Sequence, residues 1–582
     1  MAKKRITEGT KDTPALNRRE LLARGAVVGA GAAMLVGTGA ARAAANGAKA
    51  HGHAPAGITW DYETDVLVCG AGNGGMSAAL TVAEGGAKTL LLEISIQVGG
   101  NTLMSAGNLH SNGQRTWEAY NEFSEGFHDQ VLGKVYIETF WNEYIPFLQS
   151  MGAYMSRPSP DAPGPIGDWY LGKGEPGQLR HKLYFDSLVK AYQARGGSIL
   201  LQTRVRKLLT DEEGNVFGVR AQVWEKHPRE KNQKWISIKA KKVILAIGGW
   251  IMDGERKARY FGQEGYRTGH SCGPFSSGEG LDMAHAAGAA FSKIGWSTFA
   301  SFLACITAEP QVSADMDRML NLWRRLPPEE WTEPYDRGRL SPPAWVALGP
   351  NAYGGMLVNN LGQRFIDESS PHHAKYPRIP VAVSRQPGGF AWGIADHEIH
   401  SAAPGAEAVL KKVIAEGGTK GTHGNVIISN SLEEFAEALS RAGMYKGAFL
   451  KTIAEYNRAV DEGTLDKLPV SRFAGRGSGT ALDMWGGGIS EAFAGKGIIG
   501  RAIRTGPFYA IPVAASPYLI HGGIRIDADA QVLDAQGVPV PNLYAPPPLG
   551  GGVQNVIYMG AMASAGTFGY RAAKHALKAL AT

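Results

Sequence analysis

The stretch that decides the fold begins with Asp65-Val-Leu-Val-Cys69 and continues as Gly70-Ala71-Gly72-Asn73-Gly74-Gly75. The first part is a short apolar run, typical of a parallel β-strand that is buried on both faces. A helix is predicted over residues 76–84, and a second apolar strand over 89–92 leads directly to Glu93. The segment therefore predicts a βαβ unit with GxGxxG at its first turn and an acid about 20 positions later.

Each glycine of the motif has its own physical role in such a unit. Gly70 permits the tight turn, Gly72 lets backbone amides approach a pyrophosphate, and Gly75 lets the helix pack closely on the strand. The helix N-terminus then faces the anion, and Glu93 can accept hydrogen bonds from a ribose diol. GxGxxG alone is weak evidence in a chain with 77 glycines. In this strand-turn-helix-strand-acid context it predicts dinucleotide binding.

Length and charge exclude some functions. A chain of 582 residues with 44% hydrophobic composition can bury a large core and divides into more than one domain. The net charge of +7 is concentrated at the N-terminus, because residues 1–45 hold eight Lys or Arg and three Asp or Glu. The remaining residues carry 52 basic and 50 acidic side chains. We therefore predict no nucleic-acid partner.

The three cysteines, Cys69, Cys272 and Cys305, form no CxxC, no CxxCH haem attachment and no iron–sulfur spacing. We predict no metal site, so redox chemistry must depend on another cofactor. Cys69 lies in the first apolar run and is interpreted as a small buried hydrophobe rather than a reactive thiol.

The N-terminal segment resembles a twin-arginine export signal. Arg18-Arg19 precede a Gly- and Ala-rich stretch over 26–41, and small residues follow to Ala45. A low-complexity terminus and a membrane anchor are the alternatives, although the stretch is short and Gly-rich for a spanning helix. The sequence predicts passage through the twin-arginine translocase, as a folded protein, to the periplasm or the exterior.

The predicted domain boundaries follow changes in composition. A signal peptide over 1–45 and a linker over 46–60 precede the first part of the dinucleotide-binding domain, 61–250. Loops, aromatics and prolines over 251–401 indicate an inserted, smaller capping domain that carries the substrate. Residues 402–582 supply a helical segment, interpreted as scaffold, and the return to the first domain. A buried strand over 242–249 and a final helix over 562–579 belong to the first domain.

Ordered blocks of the chain resemble the flavoprotein superfamily of fumarate reductases, urocanate reductases and 3-ketosteroid dehydrogenases. The resemblance covers residues 62–577. Its blocks are GAGNGG with Glu93, GGNT at 99–102, AIGG at 246–249 for ATGG, SGEG at 277–280 for TGDG, VNNLGQRFIDE at 358–368, TIAEYN, and HGGIRID. The resemblance implies an α/β fold, with a Rossmann-like FAD-binding domain and an inserted α+β capping domain.

The same resemblance implies FAD as the cofactor. We predict non-covalent binding, because no RSHT-like attachment sequence is present, although His110 lies close to the GGNT block. Without a haem motif or an FMN-attachment domain, electrons must pass through a separate carrier: a cytochrome, a quinone or oxygen. By matching position, the cofactor contacts are Gly70, Gly72, Gly75, Glu93, Gly99, Gly100, Asn101, Thr102, Ala246, Gly248, Gly249, Glu279, Gly551 and Gly552.

A proton-transfer residue is implied four positions after Glu368. The resemblance places there an arginine in fumarate reductases and a tyrosine in ketosteroid dehydrogenases, whereas this chain has His372. Histidine suits the role, because its ordinary pKa of ~6.5 allows it to accept or donate a proton near neutrality. The alternative is a solvent-facing loop histidine beside His373.

Two departures from the family concern the substrate. The fumarate-type HHTMGG is replaced by Tyr518-Leu-Ile-His-Gly-Gly523, and the arginine of GANRLGG falls on Tyr558. The charged groups that bind a dicarboxylate are therefore lost, and we predict that neither fumarate nor succinate is the substrate. The hydroxyls of Tyr518 and Tyr558 can instead stabilise the oxyanion of a ketone; the alternative is an ordinary packing role.

The C-terminal blocks favour a small hydrophobic carbonyl substrate. LYAAGE becomes LYAPPP at 543–548, so one acidic flavin contact cannot be carried over, and TFGY at 567–570 resembles the ketosteroid-dehydrogenase ending. The predicted reaction is desaturation of a ketone or reduction of an enone. The alternatives are an FAD-dependent alcohol or phenol oxidase or dehydrogenase, and a flavin- or ligand-binding protein without turnover.

Overall fold

The βαβ unit at the start of the fold is present. Strand β1 spans Tyr62–Cys69, helix α1 spans Asn73–Glu84, and strand β2 spans Thr89–Leu92. The helix begins three residues earlier than the sequence predicts, because Gly72 is its N-cap and the amide of Met76 donates to the Gly72 carbonyl at 2.9 Å. The paired glycines are thus part of the first helical turn.

The structure, a computed structural model, describes residues 57–105, 107–111, 114–156, 169–171, 181–224, 233–267, 276–292, 299–305, 354–368, 378–401, 427–472, 500–520, 522–555 and 559–582. The export segment, His372, His373 and Tyr558 lie outside these ranges. Tyr518 lies within a strand, but its side chain is not among those described. The predictions for these residues, and the predicted domain boundaries, stay predictions.

The remaining strands in the described residues range in length from 2 to 13 residues. They are β3 Asn108–Leu109, β4 Met155–Ser156, β5 Trp169–Leu171, β6 Ser198–Leu200, β7 Thr203–Thr210, β8 Val216–Val223, β9 Lys234–Leu245, β10 Phe299–Cys305, β11 Met356–Val358, β12 Phe390–Ala395, β13 Ile427–Ser429, β14 Phe508–Ile520, β15 Ile524–Arg525, β16 Gln531–Leu533, β17 Pro539–Tyr544 and β18 Gly550–Gly551.

The helices that follow α1 lie between these strands. They are α2 Trp117–Phe123, α3 Gln130–Thr139, α4 Ile145–Ser150, α5 Lys182–Gln193, α6 Gly254–Arg267, α7 Glu279–Ala286, α8 Arg378–Ser384, α9 His397–Ser401, α10 Leu432–Arg441, α11 Lys446–Asp461 and α12 Ala561–Ala581. A π-helical turn, Phe140–Tyr144, joins α3 to α4. In the part of the chain that the structure describes, no helix is long and apolar enough to cross a membrane.

Within the described residues, the main sheet has eight strands, with the path β16-β17-β9-β1-β2-β6 and the hairpin β7–β8 added to the first half of β9. Strands β17, β9, β1, β2 and β6 are parallel to one another, whereas β16 is antiparallel to β17 and β8 is antiparallel to β9. Helix α12 packs on α1, so the last residues of the chain cover the first βαβ unit. The α/β fold that the sequence predicts is confirmed: parallel strands place their carboxyl ends, and the loops that follow them, at one edge.

A second, antiparallel sheet follows the path β10-β14-β12-β11, with β13 also paired to β14. Helices α10 and α11 contribute Phe435, Phe449 and Ile453 to a separate buried core with Met356 and Trp392 of this sheet. The scaffold role predicted for the helical segment therefore has a specific form: the helices close the second core.

Candidate functional site

The turn after β1 leaves no room for side chains at two of its glycines. Gly70 has φ +97° and donates its amide to the Leu92 carbonyl at 2.7 Å. A Cβ on Gly70 would lie 2.4 Å from the carbonyl oxygen of Ala246, and one on Gly75 would lie 1.8 Å from the carbonyl oxygen of Gly70. The turn is therefore packed backbone against backbone, between β1 and the end of β9.

The turn, residues 70–75, and the GGNT block, residues 99–102, form a cradle in which two glycines lie close to backbone without a clash at the Cβ position. A Cβ on Gly72 would meet only the Gly99 carbonyl, at 3.9 Å, and the nearest atom to a Cβ on Gly100 is the Gly72 Cα, at 3.6 Å. The N-cap residue of α1, Gly72, has no side chain to cap the helix, and Thr102 Oγ1 accepts from the Asn73 amide at 3.3 Å. A helix N-terminus beside glycines that carry no side chain fits a pyrophosphate, so these residues fit the cofactor that the resemblance implies.

Glu93 lies beneath the turn and is 4% exposed. Its Oε2 accepts from the amide of Ala71 at 2.7 Å, and its Oε1 accepts from the amide of Ser95 at 2.8 Å. Burial raises the pKa of this carboxyl, and the backbone donors Ser95, Ala71 and Ile94 oppose the rise. A carboxylate can accept about four hydrogen bonds, so the ribose contact predicted for Glu93 is compatible with its role in holding the turn.

The GGNT block lies against the same turn. The amide of Gly99 donates to the Ala71 carbonyl at 2.9 Å, and the amide of Asn73 donates to Thr102 Oγ1 at 3.3 Å. The side-chain amide of Asn101 donates to Ser276 Oγ at 2.9 Å, and Ser276 lies shortly before α7. The structure thus brings together two blocks that are separate in the sequence.

The AIGG block forms a further side of this cradle. The amide of Ala246 donates to the Cys69 carbonyl at 2.7 Å, and the carbonyl of Gly249 accepts from the amide of Gly278 at 3.2 Å. A Cβ on Gly248 would lie 3.2 Å from Ser276 Oγ. The end of β9 and the start of α7 are therefore held beside the first turn.

Glu279 has partners that the sequence did not indicate. Its Oε2 accepts from Arg204 Nε at 3.0 Å, its Oε1 accepts from Arg206 Nη1 at 2.7 Å, and Arg204 Nη2 also pairs with it. Arg204 is buried, whereas the Glu279 side chain is 31% exposed. The cofactor contact of Glu279 stays a prediction, and this carboxylate already joins α7 to β7.

The glycines near the C-terminus are held from two directions. A Cβ on Gly551 would lie 2.1 Å from Ser292 Oγ, and the carbonyl of Gly552 accepts from the amide of Asp129 at 3.0 Å.

Gln554 bonds the backbone on the far side of the next segment. Its Oε1 accepts from the amide of Met559 at 3.1 Å, and its Nε2 donates to the Gly560 carbonyl at 3.0 Å. Sequence reasoning missed Gln554, which bounds the segment that contains Tyr558.

A second group of charges surrounds Glu368, whose side chain is fully buried. Glu368 Oε1 accepts from the amide of Leu357 at 2.9 Å and from Arg364 Nε at 3.0 Å, and Oε2 accepts from Arg364 Nη2 at 2.6 Å. Arg472 Nη1 lies 3.7 Å from Glu368 Oε2. Burial raises the pKa of Glu368, but the charges of Arg364 and Arg472 outweigh it and lower the pKa below its ordinary value.

Arg472 is fully buried and was not identified from the sequence. Its Nη1 donates to Tyr456 Oη at 2.7 Å and to the Gly355 carbonyl at 2.5 Å, whereas its Nε and Nη2 have no hydrogen-bond partner among the described residues. Both guanidinium groups lie over the ring of Tyr456. This cluster fixes Glu368, the last described residue before the segment that contains His372.

Comparison with known proteins gives the family. A model of the FAD binding domain matches residues 65–302 and 340–567. The fumarate reductase (cytochrome) of Shewanella frigidimarina is 24% identical over 536 residues, covering 88% of this chain and 77% of the relative. The urocanate reductase of Eggerthella lenta is 23% identical over 523 residues, covering 85% and 71%.

Among solved structures, the 3-ketosteroid Δ1-dehydrogenase of Sterolibacterium denitrificans, in complex with 1,4-androstadiene-3,17-dione, has the same fold. Its TM-score is 0.66 at 18% identity, over 89% of this chain and 100% of that chain. The matched family residues include the whole cradle built from the GAGNGG, GGNT and AIGG blocks. The chain therefore belongs to the FAD binding domain family and is an FAD-dependent oxidoreductase.

Proposed function

We propose that this oxidoreductase moves a hydride and a proton across a carbon–carbon bond next to a carbonyl group, so that it desaturates a ketone or reduces an enone. Bound FAD accepts or supplies the hydride. The chain itself orients the substrate, holds the proton-transfer group and stabilises charge on the carbonyl oxygen. The substrate class is a small, hydrophobic carbonyl compound.

The observation that carries this proposal is the apolar end of β14. Leu519 and Ile520, at the positions of a histidine and a threonine in HHTMGG, are 8% and 3% exposed. A dicarboxylate needs charged donors that bind its oxygens in pairs, and two buried hydrocarbon side chains supply none. They are suited to a substrate with an apolar body, because burial of such a surface is favourable.

His372 is the proposed proton-transfer residue. Glu368, four positions earlier, is fixed by four polar contacts to Leu357, Arg364 and Arg472. A rigid anchor directly before a catalytic side chain limits the positions that this side chain can take. The hydroxyls of Tyr518 and Tyr558 are proposed to donate to the carbonyl oxygen as negative charge develops on it.

Electrons are proposed to reach or leave the enzyme through a separate carrier, a cytochrome, a quinone or oxygen. The relative from Shewanella, whose name specifies a cytochrome, supports this reading. Export through the twin-arginine translocase to the periplasm or exterior is proposed from Arg18-Arg19 and the following small-residue stretch. Non-covalent FAD is likewise a proposal.

The direct test is the visible spectrum of the holoenzyme, followed anaerobically. We expect the oxidised flavin bands to bleach with a saturated cyclic ketone, or those of the pre-reduced enzyme to return with an enone. Dicarboxylates, added at the same concentrations, should leave both spectra unchanged. A response to phenols or alcohols alone would replace the proposal with an oxidase or dehydrogenase of hydroxyl groups, and no response to any compound would favour a binding protein.

Replacement of His372 by alanine is expected to lower turnover about 100-fold or more, because general acid–base catalysis contributes at least that much. The flavin absorbance of the purified variant should equal that of the wild type. His373→Ala is the matched control, since it removes the neighbouring imidazole from the same segment. Turnover of His372→Ala within about twofold of the control would remove His372 from the proposed mechanism.

A further inference from the structure

A chain of hydrogen-bonded polar side chains meets the N-terminus of α1 at Asn73. Its members are fully buried or nearly so: Asn73 is 2% exposed, and Ser77, Tyr144 and Tyr184 are 0% exposed. They come from α1, the π-helical turn and α5, and the carbonyl of Met562 joins them from α12. Four separate elements therefore meet at the first residue of α1.

The direction of the hydrogen bonds follows from the groups themselves. The Met562 carbonyl, 2.8 Å from the Asn73 side chain, can only accept, so the atom that faces it is Nδ2. Asn73 Oδ1 then accepts from the Tyr184 hydroxyl at 2.7 Å, and Nδ2 also donates to Tyr144 Oη at 3.1 Å. Because burial raises the pKa of Tyr184 well above its ordinary value, the phenol keeps the proton that it donates.

The chain continues away from Asn73 and is closely packed. Tyr144 Oη lies 2.8 Å from Ser77 Oγ, one turn further along α1. A Cβ on Gly566 of α12 would lie 2.0 Å from Tyr144 Oη and 2.6 Å from Asn73 Nδ2. No side chain other than hydrogen fits at residue 566, so α12 presses directly on the hydrogen-bonded groups. The side chain of Asn73 thus has one available orientation.

Asn73 also faces the cradle, through its backbone. Its amide donates to Thr102 Oγ1 at 3.3 Å, which ties the GAGNGG block to the GGNT block. The Asn73 side chain is held at the same time by Tyr184, Tyr144 and the Met562 carbonyl. The backbone of residue 73 therefore cannot move away from Thr102 without breaking buried hydrogen bonds, which is costly.

We propose that Asn73 is a positioning residue for the cofactor: the Tyr184–Asn73–Tyr144 chain fixes the first turn of α1 so that its amides meet the pyrophosphate of FAD. Retention of FAD by these side chains does not depend on the substrate proposed above. The GxGxxG motif itself specifies glycines and gives no role to the side chains of Asn73, Tyr144 and Tyr184.

The test is the rate at which FAD leaves the full-length holoenzyme after dilution, measured by flavin fluorescence. We expect Tyr184→Phe, which leaves Asn73 Oδ1 without its donor, to speed release about tenfold. Tyr192→Phe is the matched control, because Tyr192 lies on the same helix, is also 0% exposed, and bonds the carbonyls of Thr89 and Ser198. Its release rate should equal that of the wild type.

The Tm values of the FAD-free Tyr184→Phe and Tyr192→Phe proteins separate positioning from folding, because each variant loses one buried tyrosine hydroxyl of α5. If the chain positions the cofactor, Tyr184→Phe releases FAD faster although the two FAD-free proteins have similar Tm values. The proposal is overturned if Tyr184→Phe releases FAD no faster than Tyr192→Phe, or if the release rates of the two variants simply follow their Tm values.

Discussion

Gly75→Ala is expected to yield protein without bound FAD. The added Cβ would lie 1.8 Å from the Gly70 carbonyl oxygen and 3.1 Å from the Ala246 Cβ. Neither neighbour can move aside cheaply, because Gly70 and Ala246 directly follow β1 and β9, which are paired in register, and both residues are held by backbone hydrogen bonds of 2.7 Å. Helix α1 must therefore shift away from the strand, and its amides leave the position that faces the pyrophosphate.

The measurement is the ratio of flavin to protein absorbance after purification, together with the Tm. Gly447→Ala is the control for the same chemical change, because a Cβ there meets nothing within 4 Å and the residue lies inside α11. That control should keep its flavin and become more stable by about 1 kcal/mol, the usual difference between alanine and glycine in a helix. A Gly75→Ala protein with wild-type flavin content would contradict the packing described for the turn.

Glu368→Gln is expected to reduce the free energy of unfolding by about 3–5 kcal/mol, the usual effect of removing one partner from a buried ion pair. Arg364 and Arg472, 5% and 0% exposed in their side chains, would then lose the buried carboxylate that both of them contact. The loss follows from the cost of an unpaired buried charge, so an isosteric amide does not avoid it.

The loss should depend on pH in a defined direction. Because the pKa of Glu368 is lowered on folding, its contribution is present above the ordinary glutamate pKa and is lost as pH falls through the lowered folded value. Urea unfolding curves of the variant and the wild type should therefore differ at neutral pH and converge in acid. Glu437→Gln, which removes an exposed partner of Lys446, is the control and should show no such loss. Equal stability of Glu368→Gln and wild type at pH 7 would contradict the assigned charges.

Short-range patterns account for the parts of the fold that the sequence predicted well. The strand at 89–92 is observed with the predicted bounds, and the final helix extends the predicted 562–579 by one residue at its start and two at its end. The strand predicted over 242–249 instead spans Lys234–Leu245, since its first half is polar on alternate positions where it pairs with β8. Such patterns are local, so hydrophobic periodicity is sufficient to detect them.

Contacts between distant segments were missed for a physical reason. Arg204 and Glu279 are 75 residues apart in the chain, and neither lies in a pattern that indicates the other. The same holds for Arg472 and Gln554, each of which is defined by partners that only folding brings near. The second sheet is a larger case, because strand β14 pairs with strands drawn from 299–305, 390–395 and 427–429.

The sequence by itself therefore determined the βαβ unit, its glycine turn, the acid at Glu93 and, through ordered blocks, the flavoprotein fold. Each of these depends on residues close in the chain or on the order of motifs along it. Only the tertiary structure decided which charges are paired and which polar groups are buried together, such as Asn73 with Tyr144 and Tyr184. Those contacts depend on sheet register and helix packing, where segments from across the chain set the distance between two side chains.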